Sequence, residues 1–171
     1  MCQRESIQTE RLCLHSICDQ DKDAMVEIFF NAEITQTYMI PEYQSKEEAI
    51  KLFDRFKELS VSKDHFVYGI YLNDHIIGFI NDVEIKEKEI EIGYVIHPAE
   101  KNQGYATEVL TEVIKELFAM GFTVVKAGAF EENPASMRVM EKSGMHRIQQ
   151  EDTIEYRGKV HRCINYEILR G

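Results

Sequence analysis

Tryptophan is absent from this chain of 171 residues, and it carries only three prolines and nine glycines. With so few breakers there is no Pro- or Gly-rich linker, no low-complexity tract and no internal repeat. The length is close to that of one average domain, about 150 residues, which predicts a single domain over residues 1–171. Long apolar runs are missing too. No stretch approaches the ~18 uninterrupted apolar residues of a membrane span, and residues 1–6 lack the apolar core of a signal peptide, so a cytoplasmic protein with no membrane partner is expected. Basic residues are scarce: twenty Lys and Arg against thirty Asp and Glu leave a net charge of −10. That balance argues against a nucleic-acid partner, which needs Lys and Arg gathered on one face, and it is compatible with cationic amines. The four cysteines, Cys2, Cys13, Cys18 and Cys163, make no C-x-x-C pair, and the six histidines never recur at i, i+4 on one helix, so no metal site is expected.

What is present is an ordinary globular composition, 44% hydrophobic and 29% charged, able to bury a core. Residues 11–15 alternate and read as a first strand. Residues 19–30 read as a helix capped by Asp19 or Asp21, and Ser45-Lys46-Glu47-Glu48 is a capping box opening another. Residues 66–72 and 76–85 are rich in Val, Ile, Phe and Tyr and meet at Asn73-Asp74, a hairpin signal. Residues 89–96 form the next strand. Residues 104–120 carry one apolar stripe, Ala106, Val109, Leu110, Val113, Ile114 and Leu117, and read as a strong helix closed by Gly121. A strand over 123–130 precedes Asn133-Pro134, a cap followed by proline at the first helical position, and that helix closes at Gly144. A last hairpin turns at Arg157-Gly158. Strands in runs, then strand and helix in alternation, imply a mixed sheet with helices on both faces, an α/β (α+β) architecture.

The segment richest in chemical information is Ile92-Gly93-Tyr94-Val95-Ile96-His97-Pro98 followed by Lys101-Asn102-Gln103-Gly104-Tyr105-Ala106-Thr107. A strand ends and a helix begins with Gly and Ala, so main chain is open to close approach. The first N–H groups of a helix lack internal partners and sit at the positive end of its dipole, a natural seat for phosphate. The spacing fits neither G-x-G-x-x-G nor G-x-x-x-x-G-K-[ST], which excludes the common dinucleotide and NTP fingerprints.

Five blocks together resemble the GNAT N-acetyltransferases, in particular the RimJ/RimL and spermidine-acetyltransferase branch. They are Thr9-Glu10-Arg11-Leu12-Cys13-Leu14, Glu91-Ile92-Gly93-Tyr94, the 101–107 loop, Asn133-Pro134-Ala135-Ser136 and Glu141-Lys142-Ser143-Gly144-Met145, and the resemblance spans about residues 7–170. In the family pattern [QR]-x-x-G-x-[GA], Lys101 takes the first place. The resemblance implies a mostly antiparallel sheet of about seven strands with a V-shaped splay and four flanking helices. It implies acetyl-CoA as co-substrate, with Lys101, Asn102, Gln103, Gly104, Tyr105, Ala106 and Thr107 at its pyrophosphate. Val95 and Ile96, beside a bulge near Gly93, would present backbone groups to the pantetheine arm, and Asn133 and Ser136 would bond that arm or its sulfur.

The implied reaction is direct transfer of acetyl to a primary amine, whether a protein N-terminus, a polyamine or another small amine. Many relatives carry a tyrosine that protonates the departing sulfur; Met140 stands there, and Ser136 inherits the role. Some carry a Glu or His base at the position of Gly128. The remaining candidates for a base are Glu84, Glu91, His97 and Tyr94, with Glu91 chosen because its strand runs beside the thioester. A module that binds acyl-CoA without efficient turnover is the alternative reading. The acceptor face is expected between residues 38–43 and 156–162, and a homodimer is open because dimers are frequent in the family.

Overall fold

In a computed structural model, residues 5–43 and 45–171 are described; Cys2 and the first four residues, on which part of the reading above fell, lie outside them. Strands β1 (Ser6–Gln8) and β2 (Cys13–His15) come first, followed by helices α1 (Lys22–Phe30), α2 (Ala32–Thr37) and α3 (Lys46–Ser60). A meander follows of β3 (Val67–Leu72), β4 (His75–Lys86) and β5 (Glu89–Ile96). Then come α4 (Tyr105–Ala119), β6 (Val124–Phe130), α5 (Pro134–Lys142) and the hairpin β7 (His146–Tyr156) and β8 (Lys159–Leu169). All eight strands join one sheet in the order β1-β2-β3-β4-β5-β6-β8-β7. Every pairing is antiparallel except β5 with β6.

Among the described residues, the expected seven strands and four helices are thus eight strands and five α-helices. β1 is three residues pairing Ser6 with His15, and α2 is one six-residue element, Ala-Glu-Ile-Thr-Gln-Thr. Both are too short for a period of 2 or 3.6 to be visible. Where a cap was expected from Asp19 or Asp21, a 3₁₀ turn precedes α1, and the Asp21 carboxylate instead accepts from the Cys18 N–H at 2.8 Å and from the Tyr71 hydroxyl at 2.7 Å. Ser45 does cap α3, its Oγ accepting from the Glu48 N–H at 3.3 Å. The turn signals at Asn73-Asp74 and Arg157-Gly158 are matched by left-handed backbone at all four residues, the conformation a two-residue I′ hairpin requires.

Alternation sorts the strands between two cores. Ile90 and Ile92 of β5 face Val109, Leu110, Val113 and Leu117 of α4, in a cluster with Tyr68, Ile70, Met140 and Tyr166. Val95, on the other face, joins Phe79, Phe53, Phe29 and Met25 under α1 and α3. Each fully buried side chain of this size contributes about 1.5–3 kcal/mol, so the sheet is clamped from both faces and its middle strands are rigidly held. No helix among the described residues is long and apolar enough to cross a membrane.

Candidate active site

β5 and β6 are paired for only three residues: Glu89 with Val124, Ile90 with Val125, Glu91 with Lys126. Beyond that point each strand follows its other neighbour. Residues 92–96 keep their ladder to β4, ending at Ile96 with Gly78, while residues 127–130 keep theirs to β8, ending at Phe130 with Cys163. The sheet opens into a V, as the family resemblance implied. The arms leave backbone edges facing a cavity of about 780 Å³, lined by residues 92–96, 100–107, 128–129 and 132–136 and by α2. That volume suits an extended small-molecule ligand. The expected bulge near Gly93 lies instead on the partner strand, where Val83 is the extra residue between the pairs Asp82–Ile92 and Glu84–Glu91.

The mouth of the V is the 101–107 loop. Asn102 (φ 61°) and Gly104 (φ 82°) are both left-handed, and Gly104 is the N-cap of the fifteen-residue α4. Alternating left-handed residues curl main chain into the concave turns that gather N–H donors around anions, and the positive end of α4 adds to them. A side chain at Gly104 would meet nothing nearer than 3.5 Å, so the glycine is required by its backbone angle and by the open approach. Lys101 turns its ammonium to Glu33 of α2 as an ion pair, so its side chain ties the loop to the opposite wall.

A residue that motif spacing alone does not single out braces this loop. The Arg11 guanidinium donates to the Gln103 carbonyl at 2.9 Å and to Glu108 through Nε at 2.8 Å, with Nη2 at 2.7 Å, and lies 4.6 Å from the Tyr105 ring centre. Glu108 also accepts from the Arg11 N–H and the Thr9 hydroxyl. Burial alone would raise the Glu108 pKa, yet the bonds from Thr9 and Arg11 outweigh it and hold the carboxyl below its ordinary range. The signal was present as the Thr9-Glu10-Arg11 block, whose partner stands 97 residues away.

On the opposite side, Asn133 caps α5: its side-chain oxygen accepts from the Ser136 N–H at 3.1 Å. The Ser136 Oγ lies 2.9 Å from the Tyr94 hydroxyl, and both side chains line the cavity. Met140, where the family resemblance implies a tyrosine, is fully buried in the α4-side core and is not among the residues that line the cavity.

Glu91 stands at the apex of the V, on the sheet face of Gly93 and Val95, and does not line the cavity itself. Its pKa is raised, first by burial and then by Glu84 opposite it, while Lys126 acts the other way. Lys126, its register partner, donates to Glu89 instead. Of the other candidates, Glu84 is ion-paired with Lys86 at 2.8 Å, and His97 points away from the V: its Nδ1 accepts from the Ala99 N–H at 3.2 Å and its Nε2 lies 3.5 Å from Glu27.

The same face carries the region anticipated for the acceptor. Tyr38 donates to the Asn81 side chain at 2.6 Å and covers Gly93 so closely that a Cβ there would sit 2.6 Å from its hydroxyl oxygen. The Tyr156 hydroxyl accepts from the Ile40 N–H at 3.3 Å and faces the Ile40 and Tyr38 carbonyls at 2.9 and 3.2 Å, joining the last hairpin to residues 38–40. Phe130 and His161 stack beside it with ring centres 4.3 Å apart.

A sheet opened by strand divergence, with an anion cradle at one end and a tyrosine-lined face at the other, defines an acyl-CoA-dependent transferase. The acetyltransferase (GNAT) domain family matches residues 11–146, and the chain belongs to it. It is similar to YoaA of Bacillus subtilis (strain 168), described as an uncharacterized N-acetyltransferase, with 34% identity over 146 residues and 82% of each chain covered. YnaD of the same organism, described likewise, is 31% identical over 143 residues, again covering 82% of each. Among solved structures, a GNAT acetyltransferase from Bacillus anthracis superimposes with a TM-score of 0.83 at 24% identity, covering 96% of this chain and 98% of that one. RimL, the ribosomal L7/L12 alpha-N-protein acetyltransferase, in complex with coenzyme A, has the same fold at a TM-score of 0.86 and 20% identity, with the same coverage. The protein is therefore an acetyl-CoA-dependent N-acetyltransferase that moves acetyl to an amine.

Proposed function

We propose that the pyrophosphate of acetyl-CoA is held by main-chain donors of residues 102–107, with Lys101 and Arg11 fixing the loop from either side. Val95 and Ile96 take the pantetheine arm along the β5 edge, with Asn133 and Ser136 across from it. The observation that carries this reading is the parting of β5 and β6 directly beside a left-handed loop at a helix N-terminus. The cradle fits the group: a cavity of about 780 Å³ is lined by both the loop and the arms of the V, and Gly104 presents no side chain to it.

The acceptor enters from the face of Gly93 and Val95. There the register sets Glu84 beside Glu91 and Asp152 beside Cys163, and this acidic surface favours a cationic amine, such as a peptide N-terminus or a polyamine. An alkyl ammonium with a pKa near 10.4 is a free base in about one molecule in 2,500 at neutral pH, so a base accelerates attack. Glu91, with its raised pKa, takes that proton directly or through water. The amine nitrogen bonds to the thioester carbon and sheds a second proton to solvent, the C–S bond breaks, and the electron pair stays on sulfur. Backbone N–H groups near Val95 and Ile96 stabilise the oxygen charge that develops in between, and alignment of two bound substrates supplies much of the rate.

Residues 1–171 act as one catalytic domain in this reading. A reducing cytoplasm suits the free thiols of Cys13, Cys18 and Cys163. Calorimetric titration with coenzyme A, paired with turnover of acetyl-CoA against a panel of peptides with free N-termini, polyamines and amino acids, tests the assignment. Micromolar binding with turnover of at least one amine class is expected. Binding without turnover of any amine would instead mark an acyl-CoA-binding module.

A further inference from the structure

Two facts about the leaving-group side of the slot stand together. The family's tyrosine position is Met140, sealed in the core, and a different tyrosine, Tyr94, reaches Ser136 from β5 with its hydroxyl 2.9 Å from Oγ and 3.3 Å from the Ser136 carbonyl. We propose that Tyr94 is a positioning residue for thiolate departure, donating its hydrogen to the Ser136 Oγ and so turning the serine's own O–H into the slot. This inference rests on the acetyl-transfer reading above.

A hydroxyl has one hydrogen and two lone pairs. When Tyr94 donates to Oγ, one serine lone pair is occupied and the serine hydrogen is free to bond the sulfur as charge builds there. When the serine donates to Tyr94, the tyrosine hydrogen goes to the Ser136 carbonyl, and no hydrogen faces the slot. The second arrangement relies on the longer of the two contacts, and an anion in the slot selects against it. Burial pushes the Tyr94 pKa up to about 12, opposed by the bond to Ser136, so Tyr94 remains a neutral donor at every pH at which an amine acceptor is assayed. Nothing in the step requires Tyr94 to ionise. The sulfur leaves as thiolate with the electron pair of the broken C–S bond, accepts the serine hydrogen bond, and takes its proton from solvent. The amine's proton goes to the base on the other face.

The arrangement differs in kind from a tyrosine on α5, because the donor is carried by a helix and oriented by a strand. It is sensitive to the distance between β5 and α5, across the cavity that the cofactor arm fills.

The test is a double-mutant cycle on the full chain, using acetyl-CoA and whichever amine the panel identifies. Tyr94→Phe removes one oxygen and is expected to lower kcat about tenfold, while the acetyl-CoA and amine KM values stay within about threefold. Ser136→Ala should cost a similar factor in kcat. The double variant should be no worse than the more damaged single variant, because both substitutions break one device. Ser136→Thr, which keeps a hydroxyl, should recover most of the loss. Tyr94→Phe with wild-type kcat, or a double variant whose losses multiply, would overturn the inference. If Tyr94→Phe melts too low to assay, Tyr94→Met repeats the measurement without the ring. Absence of wild-type turnover with every amine would strike the acetyl-transfer reading itself, an outcome separate from either result.

Discussion

Gly104 is the residue where sequence and backbone agree most closely. Its φ of 82° is reached cheaply only by glycine, and its missing side chain leaves the loop donors open. Gly104→Val should raise the acetyl-CoA KM at least about tenfold and cost about 1–2 kcal/mol of stability from the left-handed angle. Titration of both proteins with coenzyme A checks the first, and thermal melts the second. Gly78 is the contrasting case. A Cβ there would fall 2.0 Å from the Val95 carbonyl, so this glycine sets how closely β4 backs the cavity-lining strand β5, and nothing in its local sequence marks it. Glu91 offers a pH test. Its carboxyl pKa is raised above the ordinary glutamate range by burial and by Glu84, so ionisation costs stability as pH rises from the unfolded carboxyl's pKa towards the folded one. Glu91→Gln should therefore raise the melting temperature at neutral pH, and the advantage should fade below about pH 4, where the unfolded carboxyl is also protonated. If Glu91 is the base, the same variant loses about 100-fold in kcat at neutral pH, and the acidic limb of the kcat/KM profile disappears. Full activity with an unchanged profile would move the role to Glu84 or a water relay.

Elements become functional here through what braces them. The brace on α4 comes from residues 9–11, where Thr9 and Arg11 converge on Glu108 and Arg11 also holds the Gln103 carbonyl. Arg11→Ala should raise the acetyl-CoA KM several-fold and change kcat little, since the loop loses its anchor while the apex is untouched; steady-state kinetics with varied acetyl-CoA would show it. Helix α2 is a wall of the slot, contributing Ile34 and, through Glu33, the ion pair to Lys101. It escaped the sequence reading because six residues with two threonines and one isoleucine carry no helical period. On α5, the buried position of Met140 predicts that Met140→Tyr restores no proton donor. It should overfill a closed core and bury a hydroxyl, costing about 1–3 kcal/mol and several degrees of melting temperature with no gain in kcat.

At the scale of the whole molecule, one sheet separates two cores. The α4-side core lies on one face and the core under α1 and α3 on the other, and in the proposed reading the cofactor enters between the two arms of the V while the acceptor comes from the face of Gly93 and Val95. Direct transfer needs no covalent acyl-enzyme. Cys163 is buried with its thiol pKa raised by that burial, the reverse of an activated nucleophile. A variant with all four cysteines replaced should keep most of its activity, and intact-mass spectra taken during turnover should show no acetyl adduct on the wild-type chain.

Local chemistry was enough to read the meander, α3, the α4 stripe, the Asn133-Pro134 cap and the left-handed turns. Each depends on residues within a few positions of one another, through periodicity, capping or permitted φ. The strand–loop–helix junction at 101–107 was legible for the same reason: a strand end, a glycine and a helix start are contiguous in the chain. The tertiary structure decided where β5 and β6 part, that the bulge falls at Val83, that Met140 turns into the core, and that Tyr94 meets Ser136 and Arg11 meets Glu108. These are contacts between residues 42 to 97 positions apart, or registers between neighbouring strands. No local propensity encodes them, because they follow from packing both faces of a twisted sheet at once.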